Sequence, residues 1–232
     1  MHISGTSGKR ALAVSAVFAI ALFLGKPSTF AQNTYLLDDG TAEDSIGLTS
    51  GGSFISMNSF AVIPGNNTIT SISIAWGTPA FPDPTLNGLS YTAVLWSDPN
   101  GDGSPTDAVV LATAPGVIAL QGTNTFITSI IAPTTVLTPN FFVGYVITHG
   151  AGQFPASFDE TAPLPNRSFI AQSADPNNLA GVGAIEVITG GALVGNWMIR
   201  ADAVPEPSTY MLTGLGLLAL FGARKFARRQ KA

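Results

Sequence analysis

Between Ser53 and Asp202 the apolar positions come in short runs whose internal period is two. Thr70, Ile72, Ile74 and Trp76 alternate with Ser71, Ser73 and Ala75, and Trp197, Ile199 and Ala201 alternate with Met198, Arg200 and Asp202. That is the pattern of half-buried strands. Phe141, Val143, Tyr145 and Ile147 on one face, with Phe142 and Val146 on the other, predict a strand covered on both sides and so central in a sheet. Gly, Pro, Ser, Thr and Asn break the chain at short intervals. The predicted strands are Ser53–Val62, Thr68–Trp76, Ser90–Trp96, Ala108–Ala114, Asn124–Ile131, Phe141–His149, Ser168–Gln172, Ala184–Thr189 and Asn196–Ala201. No stretch of this region has the helical period, and no internal repeat is present. Short strands joined by turns, without βα alternation, predict an all-β fold: an antiparallel two-sheet sandwich.

Two segments depart from this pattern. Lys9-Arg10 precede the 15-residue apolar stretch Ala11–Gly25, and Lys26-Pro27-Ser28-Thr29-Phe30-Ala31 follows. Basic, apolar and small-residue parts in that order read as a secretory signal peptide over residues 1–31, cut after Ala31; an uncleaved N-terminal anchor is the alternative. At the other end stand Val204-Pro205-Glu206-Pro207-Ser208-Thr209, the apolar run Tyr210–Ala223 and a basic end with Arg224, Lys225, Arg228, Arg229 and Lys231. Pro205 and Pro207 withhold backbone donors, so this stretch should stand extended. The apolar run has 14 residues, short of the roughly 20 that span hydrocarbon. Phe226 and Ala227 extend it, and basic side chains can snorkel. The basic end keeps this terminus on the cytoplasmic side and the rest outside. The expected division is signal peptide 1–31, β-sandwich 32–203 and C-terminal signal 204–232, the last containing a hydrophobic helix.

This C-terminal segment resembles the PEP-CTERM sorting signal of bacterial surface and matrix proteins, with Val204, Pro205, Glu206 and Pro207 as the motif. The resemblance implies recognition by an exosortase-type membrane protease, passage through the secretion machinery, and a final place at the cell surface or in the exopolysaccharide matrix. An ordinary C-terminal membrane anchor is the competing reading.

Charge sharpens the picture once the targeting segments are set aside. Between Gln32 and Thr209 only Arg167 and Arg200 are basic, against all 14 Asp/Glu of the chain, a net charge of −12. Such a surface repels nucleic acid and anionic lipid and attracts divalent cations. The chain has no cysteine, which excludes a thiol nucleophile, a Cys-ligated metal and disulfides; a domain of this length needs none of them to fold.

The strongest candidate for chemistry is the loop Asp98–Asp107. Asp98, Asn100 and Asp102, followed by Gly103, match positions 1, 3, 5 and 6 of a hard-cation loop. The match then fails, because Val109 stands where a bidentate Glu belongs; Asp107 is the available substitute. Ca²⁺ is the one cofactor the pattern suggests, and a polar hairpin tip is the alternative. Asp38-Asp39 with Glu43-Asp44 could form a second oxygen-rich cluster. Asp159-Glu160 is a carboxylate pair of the type glycoside hydrolysis uses, although adjacent residues diverge. His149 is the one histidine between the targeting segments and ends a strand, and no Gly-x-Ser-x-Gly occurs. Trp96, Phe154 and Phe158 are the aromatics available for stacking on sugar, with core packing the alternative for Trp96.

The pieces Leu37–Glu43, Val94-Leu95-Trp96 with its Asp/Gly loop, Phe142–Tyr145 and Asn196–Arg200, in that order, resemble jelly-roll-like β-sandwich domains of secreted bacterial proteins. That resemblance implies an accessory role in spacing, adhesion or targeting. The expectation is a non-enzymatic surface or matrix protein. A carbohydrate-binding module using Trp96 and the acidic loop is second, and a polysaccharide hydrolase third.

Overall fold

The computed structural model describes residues 33–161, 167–184, 195–205 and 216. The expected signal peptide and, Gly216 apart, the sorting segment beyond Pro205 lie outside them. The described chain is all-β. One layer is a four-stranded sheet of β1 (Asn33–Tyr35), β13 (Ile199–Val204), β4 (Thr68–Ile74) and β7 (Ile127–Thr135), in that order. The facing layer has six strands: β11 (Gly183–Ala184), β10 (Ser168–Ala171), β3 (Gly52–Ala61), β8 (Asn140–His149), β5 (Ser90–Ser97) and β6 (Val109–Val117). A three-stranded sheet of β12 (Asn196–Trp197), β9 (Ala156–Asp159) and β2 (Asp44–Ile46) joins the four-stranded layer through the Trp76–Ala156 bridge. All these pairings are antiparallel.

The alternation of the sequence explains the core. Ile69, Ile72 and Ile74 of β4 and Ile199, Ala201 and Ala203 of β13 meet Phe54, Tyr91, Leu95, Phe141, Val143 and Tyr145 of the larger sheet. β8 lies between β3 and β5, the central place its two-sided apolar pattern predicts. Its second face is buried too: Ile55, Met57, Val94, Trp96, Phe142 and Val146 are covered by Ala171, Leu179 and their neighbours in the segment after β10.

Several boundaries move for local reasons. A bulge between Ile69 and Ser71 shifts the register of β4, so Ile69 rather than Thr70 joins Ile72 and Ile74 inside. The strand predicted over Asn196–Ala201 breaks at Met198 into β12 and β13, and β13 runs on to Val204. β6 and β7 pass through Pro115 and Pro133, which edge strands tolerate because one row of N–H groups has no strand partner. Gly116 is required where it stands, since a Cβ there would lie 2.2 Å from the Tyr91 ring. Beyond Ala184 the strand predicted to Thr189 lies outside the described residues.

The core phenols carry a pH consequence. Burial raises the pKa of Tyr145 strongly, and raises Tyr35 and Tyr91 against the lowering effect of bonds with Ile63 and Ser129. A folded-state pKa above the unfolded value gives stability that is complete below about pH 10 and lost as pH rises. Alkaline denaturation should therefore begin near pH 10, with a slope of up to about 1.4 kcal/mol per pH unit from Tyr145 and smaller, solvent-screened contributions from Tyr35 and Tyr91. Tyr145→Phe should flatten that slope in a urea titration repeated from pH 8 to 11; an unchanged slope would exclude Tyr145 as a contributor.

Candidate functional site

The acidic loop leaves β5 at Ser97 and turns back into β6 through a short 3₁₀ turn, Pro105–Asp107. Its organiser is Asp98, whose side chain is fully buried. Asp98 Oδ1 accepts from the Gly101 amide at 2.9 Å, and Oδ2 from the Gly103 amide at 2.8 Å. Both glycines sit at positive φ, 74° and 79°, which only glycine adopts without strain. Asn100 Oδ1 accepts from the Asp102 amide at 2.9 Å, and Asp102 Oδ1 from the Ser104 amide at 2.7 Å. Asp107 Oδ1 is buried without a donor among the described residues.

These turns bring Asp98, Asp102 and Asp107 together, one carboxylate oxygen from each lying within 4.8 Å of the others. Oxygens that share a Ca²⁺ at 2.3–2.6 Å cannot be more than about 5 Å apart, so the spacing admits a common ion. The donors are all hard oxygens, and each oxygen of Asp98 keeps a lone pair after accepting its amide. The set fits Ca²⁺ better than a soft metal. Asn100 stands apart in role: its Nδ2 donates to Asp102 Oδ2 at 3.1 Å, so it braces the loop.

The loop has a defined address in the sandwich. Asn140 Nδ2 donates to Gly101 O at 2.9 Å at the start of β8. Pro139 O accepts from Val62, Asn67 O accepts from Val136, and Val204 at the end of β13 pairs with Thr68. The acidic loop therefore shares a pole with the point where the chain leaves the sandwich. The opposite pole carries the exposed apolar side chains Phe81 (71%), Leu120 (55%) and Phe154 (39%), while Ile63 (45%) and Leu137 (89%) are exposed at the acidic pole. The loops of Phe81, Leu120 and Phe154 are tied together by Asp83 N to Gln121 Oε1 and Gln153 Nε2 to Thr85 Oγ1.

Other candidates from the sequence take structural roles. Trp96 is buried under the covering segment, its Nε1 donating to Pro176 O at 2.9 Å, so no ring face is open to a sugar. The stacking role expected of Trp96 is thereby corrected, and Phe158 is buried as well. His149 is held at both ring nitrogens: Nε2 accepts from the Leu48 amide at 3.1 Å, which places the proton on Nδ1, facing Gly150 O at 2.8 Å. Asp159 is buried and accepts from the amides of Asp39 and Thr161. Glu160 is exposed, and its backbone amide donates to Glu43 Oε2.

The acidic opening does not converge on one point. Asp38 pairs with Arg200, Asp39 Oδ1 accepts from the Thr41 amide, and Asp44 Oδ1 accepts from the Ser45 amide. The Thr41 amide is the main reason the Asp39 pKa is lowered. A feature the sequence pattern did not single out is a groove of about 660 Å³ on the outer face of the six-stranded sheet, lined by Ser90, Thr92, Val117, Thr148 and Ala174 among others.

Comparison with known proteins gives an address and a fold. Residues 203–229 match the PEP-CTERM protein-sorting motif. No curated protein matches the chain. Among solved structures, the chain is similar to the clostridial cysteine protease Cwp84 after propeptide cleavage, with a TM-score of 0.54 and 15% identity. The match covers 78% of this chain and 42% of that one, and at this identity it speaks for the fold alone.

Proposed function

We propose that this exported, exosortase-sorted protein is a non-catalytic component of the cell surface or exopolysaccharide matrix. In this reading the sandwich serves as a structural and adhesive body, and its acidic loop binds Ca²⁺. The observation that carries the reading is the polarity of the molecule. The chain leaves the sandwich at the pole of the acidic loop, where Ile63 and Leu137 are also exposed, and Phe81, Leu120 and Phe154 are exposed at the other, away from that exit. Support for a non-catalytic role comes from His149 and Asp159, two of the candidate acid–base groups, which serve backbone hydrogen bonds.

The calcium part has a direct test. Ca²⁺ bound only to the folded form at the millimolar affinities of extracellular modules should stabilise it by about 1 kcal/mol. That raises Tm by roughly 2–4 °C at 1 mM Ca²⁺. Na⁺ at matched ionic strength and Mg²⁺ serve as controls. Asp102→Ala with Asp107→Ala should abolish the rise. Asp98 is a poor choice for this test, because its carboxylate also holds the Gly101 and Gly103 amides and its loss would destabilise the loop without any ion. A double variant that still responds to Ca²⁺ like the parent would make the loop a turn only.

A carbohydrate-binding module is the second reading, favoured by the hydroxyl-lined groove at Ser90, Thr92 and Thr148 and by the exposed ring of Phe154. A glycan array separates the two. Selective binding lost in Thr92→Ala or Phe154→Ala favours the module; no selective glycan favours the structural role.

A further inference from the structure

Both membrane-directed segments of the chain join the sandwich at one pole. Asn33 opens β1 opposite Ala203, near the end of β13, and Val204 pairs with Thr68. The match to the sorting signal begins at Ala203, inside β13, so no spacer separates the folded body from the signal. Only Pro205, Glu206, Pro207, Ser208 and Thr209 stand between Val204 and the apolar run that starts at Tyr210. Fully extended, the chain from Val204 to Tyr210 reaches at most about 22 Å. While Tyr210–Ala223 sits in the membrane, this pole is held within that distance of the lipid. An uncleaved signal peptide would hold the same pole, since Asn33 lies there.

Two loops flank the exit: residues 62–67 join β3 to β4, and residues 136–139 join β7 to β8. They are tied to each other, the Val62 amide donating to Pro139 O and the Val136 amide to Asn67 O, both at 2.8 Å. They are also tied to the first strand. Tyr35 Oη accepts from the Ile63 amide at 2.9 Å and donates to Asn66 O at 2.7 Å. Val136 fills the core position, and its neighbour Leu137 is the most exposed large apolar side chain among the described residues, with Ile63 exposed beside it. Neither loop holds a charged residue, although the domain as a whole is strongly acidic. A backbone held this firmly presents the two aliphatic side chains to whatever lies at this pole.

Resting on the exosortase reading, we propose that Ile63 and Leu137 form a membrane-docking tip. During sorting they enter the interface of a lipid surface with zwitterionic headgroups, and the Phe81 pole is turned outward. Anionic headgroups are disfavoured because the acidic loop shares the pole, with Asn140 Nδ2 donating to Gly101 O. Two aliphatic side chains bury too little to hold a free protein on a bilayer, where even one myristoyl chain binds marginally. The short tether makes the contact intramolecular, at an effective concentration on the order of millimolar. Processing that removes the tether therefore also releases the tip, and the sandwich leaves the membrane.

The chain has no cysteine, so an introduced one takes a dye without competition. The full chain with Pro64→Cys, labelled with nitrobenzoxadiazole, is purified in detergent from the membranes of a host without a sorting protease. It is then reconstituted into phosphatidylcholine vesicles containing 5-doxyl phosphatidylcholine. Phe81→Cys, labelled in the same way, reports the far pole. The dye at position 64 should emit to the blue and be quenched by the doxyl lipid, and the dye at 81 should do neither. Leu137→Asp with Ile63→Asp should abolish the response at 64; both side chains are exposed, and circular dichroism checks that the fold is kept. Three results overturn the docking tip and leave exosortase sorting standing: a dye at 64 that stays in water on vesicle-bound chain, a response that survives the double change, or a blue shift without lipid quenching, which a second copy would give. A full chain that does not sediment with the vesicles overturns both.

Discussion

Trp197→Ala is expected to lower the unfolding free energy by about 3–5 kcal/mol and Tm by roughly 10 °C. Trp197 is buried where β12 meets β9, its ring 5.3 Å from that of Phe158. Its polar atoms are all used: Nε1 donates to Phe169 O at 2.8 Å, its amide to Ser168 Oγ, and its carbonyl accepts from Asn58 Nδ2 at 2.8 Å. Removing the ring opens a cavity at the seam of three strands and takes one donor from the Phe169 carbonyl. Trp76 provides the comparison. It is equally buried, with its ring 4.6 Å from both Tyr91 and Tyr145, but its indole N–H has no acceptor among the described residues. Trp76→Phe should therefore cost less than Trp197→Phe by about 1 kcal/mol, the net worth of one hydrogen bond. Equal losses in urea titrations of the two variants would contradict this account of the seam.

Arg200→Ala should cost a similar amount, about 3–5 kcal/mol, for a different reason. Asp38 has no exposed side-chain surface, and Arg200 Nε and Nη2 both donate to its carboxylate. The guanidinium also lies 3.9 Å from the centroid of the Phe126 ring. Without Arg200, a carboxylate remains in the interior without its cation. The reverse change is milder. Arg200 keeps a quarter of its side chain in solvent, so in Asp38→Asn it can turn outward, at a cost of about 1–2 kcal/mol. The order Arg200→Ala worse than Asp38→Asn is the prediction, read from denaturant midpoints. The opposite order would mean that Asp38 is not the member trapped by burial.

The long strands were legible because each has enough residues to display its period. β3, β5 and β8 lie within a residue or so of their predicted bounds. β1, β2 and β9 were not, for three or four residues cannot establish an alternation, and Ala156–Asp159 is held as a strand by partners distant in sequence. The acidic loop was readable from spacing alone, since Asp98 and Gly103 make their contact within one turn. Between stacking and core packing for Trp96 the sequence could not decide, because the segment that covers it comes some eighty residues later. The partnership of Asp38 with Arg200 spans 162 positions, and no local pattern announces it. The extension of β13 into the sorting signal was hidden for a related reason: the register of β4, not the composition of Ala203 and Val204, decides where the strand ends.

The central claim is that the sorting signal, acting on a folded sandwich, delivers this protein to the outside. The most direct measurement is fractionation of a host making the full chain, with and without its exosortase-type protease. With the protease, the protein should appear in the surface or extracellular fraction without its basic end. Without it, the protein should stay in the inner membrane with Lys231 intact. The same extracellular yield in both hosts, or an exported chain that retains its basic end, would contradict the account.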